Sequence, residues 1–160
     1  MDETIAITIR PVQDDDWPAL WPLLHKMGKT DAEARVRERV RQVNHRDEHF
    51  LTVALHEASI AGYVWAQDYG AHIRSGQSTV RMHDLFVAPS YRRCGVGTQL
   101  LGAVTSWATE RGATWLEWQS GQAALPFYEQ LGLTGDPCPD PEHPFFEIDL
   151  TTTHGPQIHK

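Results

Sequence analysis

A glycine-rich turn between a predicted strand and a predicted helix is the segment of this sequence best suited to chemistry. Arg92, Gly95 and Gly97 form an Arg-x-x-Gly-x-Gly pattern. Glycine lets the backbone turn closely, and successive N–H groups at the beginning of a helix attract an anion. Because Arg92 and Arg93 both precede the turn, the segment predicts a site for a phosphate or a pyrophosphate.

Three classes of phosphate site compete for this turn. A Walker loop for ATP requires a lysine and then Ser or Thr after its last glycine, whereas Thr98 follows Gly97 directly. A dinucleotide fingerprint requires a third glycine where Leu100 stands, although Glu117 lies at a suitable distance for a ribose-binding acid. ATP hydrolysis and a nucleotide-binding oxidoreductase are therefore both disfavoured.

The third class fits the residues. The turn and the amphipathic helix after it resemble the coenzyme A pyrophosphate loop of the GNAT superfamily of N-acetyltransferases. Downstream, residues 124–133 resemble the family's A-x-x-F-Y-x-x-x-G-F segment. Two positions depart from the pattern, since Gly121 stands where many members have asparagine and Leu133 replaces a phenylalanine. The order of predicted elements extends the resemblance over nearly the whole chain.

The resemblance implies how acetyl-CoA is bound. The backbone of Phe86 and Val87 would pair with the amide-bearing arm of coenzyme A, as an added strand does. A backbone N–H near Val87 would polarise the acetyl carbonyl and stabilise the oxyanion. Arginine side chains of the loop, including Arg92, would add positive charge. The pyrophosphate would lie on the backbone N–H groups of Arg93, Cys94, Gly95, Val96, Gly97 and Thr98.

The resemblance also implies an acid for the leaving group. Tyr128 stands where the family usually carries the residue that protonates the thiolate, and a phenol has a suitable pKa for this. The resemblance thus implies that Tyr128 is both a catalytic and a cofactor-binding residue. The alternative role of Tyr128 is aromatic packing beside Phe127.

The general base that removes a proton from the amine has more than one candidate residue. An amine nucleophile must lose a proton, and Asp84, then Glu117, are the preferred candidates, acting directly or through water. His83 is a third candidate, but His83 and Asp84 can face the same site only if a bulge interrupts the strand. The alternative for either acid is an exposed charge or a salt bridge to an arginine such as Arg81.

Cys94 offers a second chemical route, because a thiolate is favoured at a helix N-terminus beside cationic residues. A covalent acetyl-cysteine is conceivable there. We expect instead that the position contributes its backbone N–H and that transfer is direct, within a ternary complex.

The elements that must position these residues follow an α/β pattern. Strands are predicted at 5–10, 50–55, 60–66, 80–88, 114–118 and 145–150, and helices at 14–27, 31–43, 95–111 and 122–131. The family fold implies a mixed, mostly antiparallel sheet of six to seven strands flanked by about four helices, with a splay between two middle parallel strands. A single domain over 1–151 and a short tail over 152–160 are expected.

Charge and composition favour some classes of binding partner over others. The 160 residues carry a net charge of −7, of which residues 112–160 contribute −6, with seven acidic residues against Lys160. This asymmetry disfavours nucleic acid and favours a cationic amine as acceptor. The chain has no apolar run long enough to span a membrane, and its acidic N-terminus is unlike a signal peptide, so a cytoplasmic protein is expected.

Metal and assembly complete the expectations. The two cysteines form no CxxC pair and the nine histidines no HxxxH pair with an acid between them, so no metal site is predicted. A homodimer is compatible with the resemblance.

Taken together, the motifs predict an acetyl-CoA-dependent N-acetyltransferase acting on a primary amine of a small molecule or peptide. The alternative is a non-catalytic coenzyme A-binding module of the same fold, acting as a sensor or interaction domain.

Overall fold

The computed structural model describes residues 4–136 and 142, which fall into two compact units. The first unit extends to Gln119 and the second begins at Ser120. Among the described residues, the first unit contains five strands, β1 (Thr8–Pro11), β2 (His49–His56), β3 (Ser59–Ala71), β4 (Ser78–Val87) and β5 (Trp115–Glu117). Its α-helices are α1 (Trp17–Met27), α2 (Glu33–Asn44) and α3 (Val96–Glu110). The second unit contains α4 (Leu125–Gln130), preceded by a 3₁₀ turn over Gln122–Ala124.

The strands form one mixed sheet in the order β1-β2-β3-β4-β5. Neighbouring strands from β1 to β4 are antiparallel, and β4 and β5 are parallel. The predicted α/β class and the mostly antiparallel sheet are therefore confirmed. The strands predicted at 50–55 and 60–66 form a hairpin, since His56 and Ser59 are paired across its turn.

The number of strands differs from the expectation of six to seven. The described residues form five strands, and the strand predicted at 145–150 lies outside them. The predicted first strand also begins later, at Thr8, because the two residues at its expected beginning bond elsewhere. The N–H of Ile5 donates to the carbonyl of Cys94 at 3.1 Å, and the carbonyl of Ala6 lies 3.1 Å from the His56 ring.

The pairing of β4 with β5 is short and covers only one end of β4. The parallel ladder joins Thr79, Val80 and Arg81 of β4 to the three residues of β5. Among the described residues, the rest of β4, up to Val87, has no strand partner on this side. The unpaired stretch corresponds to the expected splay.

Helices cover both faces of the sheet in the first unit. On one face, Leu20 and Leu23 of α1 pack in a buried cluster with Leu51, Val53 and Tyr63, and α2 packs against this cluster. On the other face, Phe50 of β2 stacks on Trp107 of α3 at 5.2 Å between ring centroids. Alternate residues of one strand thus face different helices, as the pleat requires.

The beginning of α1 is fixed by Asp16, a buried acid that ends the run Asp14–Asp16 directly before the helix. Both oxygens of Asp16 accept hydrogen bonds from the Arg10 guanidinium at 2.7 Å, and the Gln13 N–H donates to the same carboxylate at 2.7 Å. The hydrogen bond from Arg10 lowers the pKa of Asp16. Helix α1 is therefore tied to β1 by a charged pair.

Candidate active site

The glycine-rich turn connects the end of β4 to the beginning of α3. A 3₁₀ turn over Pro89–Tyr91 leads into it, and α3 begins at Val96. Arg93 and Gly95 both have positive φ angles, 63° and 77°. Glycine adopts this conformation without the steric cost that a side chain brings. The backbone conformation at Gly95 therefore explains why the first residue of the motif's glycine pair is a glycine.

An N-terminal segment braces this turn. Besides the bond from Ile5 to Cys94, the Gln99 side chain donates to the Ile5 carbonyl at 3.0 Å. A Cβ atom on Gly95 would lie 2.9 Å from Cγ2 of Thr4. The turn is therefore held from outside by Thr4 and Ile5, of which Ile5 belongs to the predicted first strand.

The beginning of α3 presents N–H groups that need an acceptor. The first intrahelical hydrogen bond runs from the Gln99 N–H to the Gly95 carbonyl at 3.1 Å. The N–H groups of Val96, Gly97 and Thr98 thus precede the ladder and have no carbonyl within the helix. Since Val96 is buried at 1% exposure, the helix anchors these groups firmly. This geometry suits an anion.

The end of β4 presents backbone groups toward the open side of the sheet. The Ala88 N–H donates to the Ala61 carbonyl at 2.9 Å, and hydrogen-bonded pairs alternate along an antiparallel ladder. Phe86, opposite Tyr63, consequently directs its N–H and carbonyl toward β3. Val87 directs its own groups away from β3, so only Val87 of the two predicted residues has backbone groups available to a ligand.

Arg92 lies against this strand end. Its Nε donates to the Val87 carbonyl at 3.2 Å, and its guanidinium carbon lies 5.6 Å from the centroid of the Phe86 ring. The neighbouring Cys94 is partly buried, with its Sγ 3.5 Å from the Arg92 carbonyl. The Arg92 side chain thus occupies the position expected for the amide-bearing arm of coenzyme A.

A β-bulge brings two candidate bases to one face of β4. Trp65 of β3 pairs with Asp84, whereas the next residue, Ala66, pairs with Met82, so His83 is the extra residue. This is the bulge that the alternation of side chains required for His83 and Asp84 to share a face. The His83 ring lies 4.3 Å from that of Trp65.

Asp84 is held by a buried phenol. The Tyr63 hydroxyl donates to Oδ2 of Asp84 at 2.9 Å, and the Tyr63 side chain is fully buried. Burial raises the pKa of Tyr63, and the nearby Asp84 carboxylate raises it further. Tyr63 is therefore protonated at neutral pH and donates its hydrogen bond to Asp84.

Asp84 also lines a cavity of about 460 Å³ in the first unit. The segment between α1 and α2, including Lys29 and Asp31, forms one side of it, and Tyr63 and Trp65 of β3 line another part. The cavity thus places a space large enough for a small molecule beside a carboxylate whose position is fixed by hydrogen bonding.

The other candidate bases are engaged differently. Glu117 does not line this cavity and lies 3.5 Å from the Arg81 guanidinium, so the salt-bridge alternative applies to it. Nε2 of His83 lies 3.2 Å from the Gln67 side-chain oxygen. Burial, and then the charge of Arg81, lower the pKa of His83. Of the three candidates, Asp84 is the one that the structure brings to the cavity.

Tyr128 belongs to the second unit. It lies in α4, with its ring 4.9 Å from that of Phe127 in an edge-on contact. Burial raises its pKa. Helix α4 ends at Gln130, one residue before the predicted end, and Gly132 follows it with a φ of 78°.

The described residues contain neither a cluster of metal-binding side chains nor a membrane-spanning helix. Among residues 4–136 and 142, no group of three or more His, Cys, Asp or Glu side chains could hold a metal ion. Within the same residues, every helix is too short or too polar to cross a lipid bilayer.

The comparison with family models decides the family. Residues 9–133 match the model described as the Acetyltransferase (GNAT) family. The chain belongs to this family. The match includes the glycine-rich turn, the bulged strand and α4, so the resemblance inferred from two short motifs is confirmed. No curated protein matches the sequence of this GNAT protein.

Solved structures have the same fold at low sequence identity. Glucosamine-6-phosphate N-acetyltransferase from Arabidopsis thaliana has a TM-score of 0.72 at 16% identity, with 89% of this chain and 99% of that chain covered. An aminoglycoside N-acetyltransferase in complex with CoA has a TM-score of 0.74 at 17% identity, with 94% and 99% covered. Ribosomal-protein-alanine N-acetyltransferase from Brucella melitensis has a TM-score of 0.67 at 17% identity, with 91% and 100% covered.

Sequence reasoning missed two residues of this GNAT protein's site. Tyr63 has the alternating apolar neighbours of a core strand residue, and nothing local indicates that its hydroxyl reaches Asp84, 21 positions later. Trp65 lies between two histidine rings, those of His49 and His83, and nothing in its strand pattern indicates this arrangement. The usable signal was the alternation in β3, which places Tyr63 and Trp65 on one face.

Proposed function

We propose that this GNAT protein transfers the acetyl group of acetyl-CoA to a primary amine of a small molecule or peptide, by direct attack in a ternary complex. The observation that carries the proposal is Asp84, which lines a cavity beside the open part of the sheet and is fixed by Tyr63. Two of the related structures are named for transfer to amino compounds, and one of them is a complex with CoA.

The base is Asp84. One of its oxygens accepts the Tyr63 hydroxyl, and among the described residues its other oxygen, Oδ1, has no hydrogen-bond partner. An ammonium group entering the cavity would bind there and pass a proton to the carboxylate, directly or through water. The neutral amine would then attack the thioester carbonyl, forming a C–N bond while the C–S bond breaks.

The cofactor is proposed to bind along the end of β4 and the beginning of α3. The N–H groups from Arg93 to Thr98 would hold the pyrophosphate, and the Val87 N–H would stabilise the oxyanion. Binding of the amide-bearing arm to Val87 would displace the Arg92 side chain from the Val87 carbonyl and release its charge for the phosphates. The backbone of Phe86 is already paired with β3, so Phe86 would contribute to cofactor binding through its side chain.

The acid is proposed to be Tyr128. Its phenol would give a proton to the departing thiolate of coenzyme A, and its raised pKa keeps it protonated at neutral pH. Replacement by phenylalanine removes the proton but keeps the ring. We expect Tyr128→Phe to lower kcat about 100-fold, within the usual range for general acid catalysis, and to leave acetyl-CoA binding unchanged.

The proposal is tested by mixing the protein with acetyl-CoA and a panel of primary amines. Release of coenzyme A thiol together with a product 42 mass units heavier than the amine, about the mass of an added acetyl group less a proton, supports it. Tight binding of acetyl-CoA without product from any amine would instead support the non-catalytic module. Normal turnover by Cys94→Ala would establish direct transfer, whereas loss of turnover would indicate an acetyl-cysteine.

A further inference from the structure

The cavity beside Asp84 has mainly apolar walls. Aliphatic side chains come from α1, from α2 and from β2, and Trp65 adds an aromatic surface. The aliphatic lining residues are Leu24, Met27, Val36, Val40, Val43 and Leu51. Such walls favour a hydrocarbon body and penalise a hydroxyl or an ammonium that finds no partner there.

The two carboxylates that line the cavity, Asp31 and Asp84, differ in their cationic partners. Asp31 accepts a hydrogen bond from Arg39 at 2.7 Å and lies 3.9 Å from Arg35, while Lys29 adds a further cation. Among the described residues, Asp84 is the carboxylate of this lining that has no arginine or lysine partner. The cavity therefore provides one place for a positive charge, beside Asp84, and its other cation-binding group is already neutralised.

A second ammonium on the ligand would be unfavourable in this arrangement. If the first ammonium binds Asp84, a second one would lie against the apolar walls or approach Lys29 and Arg39. The first position leaves a charge without a partner, and the second brings like charges together.

We infer that the acceptor is a monoamine with an apolar body, such as an alkylamine or an arylalkylamine, rather than a polyamine or an aminoglycoside. The inference rests on the proposed function. The amine nitrogen would lie at Asp84, and the hydrocarbon body would lie along the walls formed by α1 and α2. The transfer itself is as above, with the amine proton passing to Asp84 and the thiolate leaving as coenzyme A.

The test compares matched amine acceptors, each assayed with this protein and acetyl-CoA. Hexylamine and hexane-1,6-diamine have the same chain and differ in one ammonium, and kanamycin represents the aminoglycosides. We expect kcat/KM for hexylamine to exceed that for the diamine by at least about tenfold. A diamine or kanamycin that reacts faster than hexylamine would overturn the inference and leave the proposed function intact.

A variant of the wall tests the location. Val36→Glu places a carboxylate in the lining of the cavity, and Ala34→Glu makes the same change at an exposed position of the same helix. We expect Val36→Glu to lower the ratio of hexylamine to diamine kcat/KM about tenfold and Ala34→Glu to keep the wild-type ratio. Equal ratios in the two variants would contradict the inference.

The remaining outcome separates the two proposals. If no amine of the panel is acetylated, the substrate class is wrong, and titration with acetyl-CoA then distinguishes the cause. Binding of acetyl-CoA would leave a coenzyme A-dependent function standing with a different acceptor or role. Absence of binding would remove the proposed function as well.

Discussion

The hydroxyl of Tyr63 donates a 2.9 Å hydrogen bond to the carboxylate of Asp84, and the two residues lie on adjacent strands of the sheet. The phenol fixes one oxygen of the carboxylate, and burial keeps the phenol protonated. This relationship gives Asp84 a defined orientation toward the cavity. The account of the site depends on it more than on any single motif.

Removing the phenol hydroxyl should weaken catalysis. In Tyr63→Phe, Asp84 loses the hydrogen bond that fixes its carboxylate, while the buried aromatic ring is retained. A hydrogen bond to a charged group is worth roughly 1.5–3 kcal/mol, so kcat/KM should fall about tenfold or more. Tyr69→Phe, at a tyrosine with 57% exposure, is the control. Wild-type kcat/KM in Tyr63→Phe would contradict the role of Tyr63.

The two-glycine turn should depend on backbone conformation at Gly95. An alanine there must adopt a φ of 77° and place its Cβ 2.9 Å from Thr4. The left-handed conformation alone costs roughly 1–2 kcal/mol, so Gly95→Ala should lower the free energy of unfolding by at least that amount and weaken acetyl-CoA binding. Urea denaturation and calorimetric titration measure the two effects.

Gly102→Ala is the matched control for that substitution. Gly102 lies within α3, and a Cβ atom added there meets no atom within 4 Å. In a helix interior alanine is more stable than glycine by roughly 0.5–1 kcal/mol, so this variant should be more stable than the wild type. If both glycine variants were equally stable, the conformational role of Gly95 would be wrong.

The stability of the fold should decrease on mild acidification because of His83. Burial lowers the pKa of this histidine from its ordinary value of 6.5. As the pH falls below about 6.5, the unfolded chain therefore binds the proton first, and the free energy of unfolding decreases until the folded state is protonated too. His83→Gln should flatten this decrease, as measured by urea unfolding between about pH 7 and 5. His25→Gln, at an exposed histidine of α1, is the control, and equal slopes in the two variants would refute the assignment.

Short sequence patterns predicted those helix ends and turns at which a local residue type, such as glycine, fixes the boundary. The glycines at 95 and 132 mark the beginning of α3 and the end of α4, and both have left-handed conformations in the structure. The hairpin turn between β2 and β3 has the residues expected. In these places the backbone requirement and the residue type coincide, so short patterns were sufficient.

Features that depend on distant residues could not be predicted. The bulge at His83 is a property of the pairing between β3 and β4, and only the register reveals that His83 and Asp84 share a face. The pairing of Glu117 with Arg81 likewise depends on the parallel ladder with β5. The bracing of the turn by Thr4 and Ile5 brings together residues about 90 positions apart, a distance over which periodicity carries no information.

The expected boundaries of a single domain, 1–151 with a tail over 152–160, remain a prediction, as does the homodimer.

The structure changes the reason for expecting a positively charged acceptor. Of the acidic residues after position 111, Glu117 is paired with Arg81 and does not line the cavity. The preference for an acceptor that carries a positive charge therefore rests on Asp84, which precedes this acidic region.

The most direct test of the account is the rate of acetyl transfer by Asp84→Asn and Glu117→Gln, measured at neutral pH with acetyl-CoA and an accepted amine. General base catalysis contributes roughly 100- to 10,000-fold, so kcat/KM should fall at least about 100-fold in Asp84→Asn. Acetyl-CoA affinity should be unchanged in that variant, and Glu117→Gln should retain near-wild-type activity. Wild-type turnover by Asp84→Asn, with or without a loss in Glu117→Gln, would contradict the central claim that Asp84 is the base.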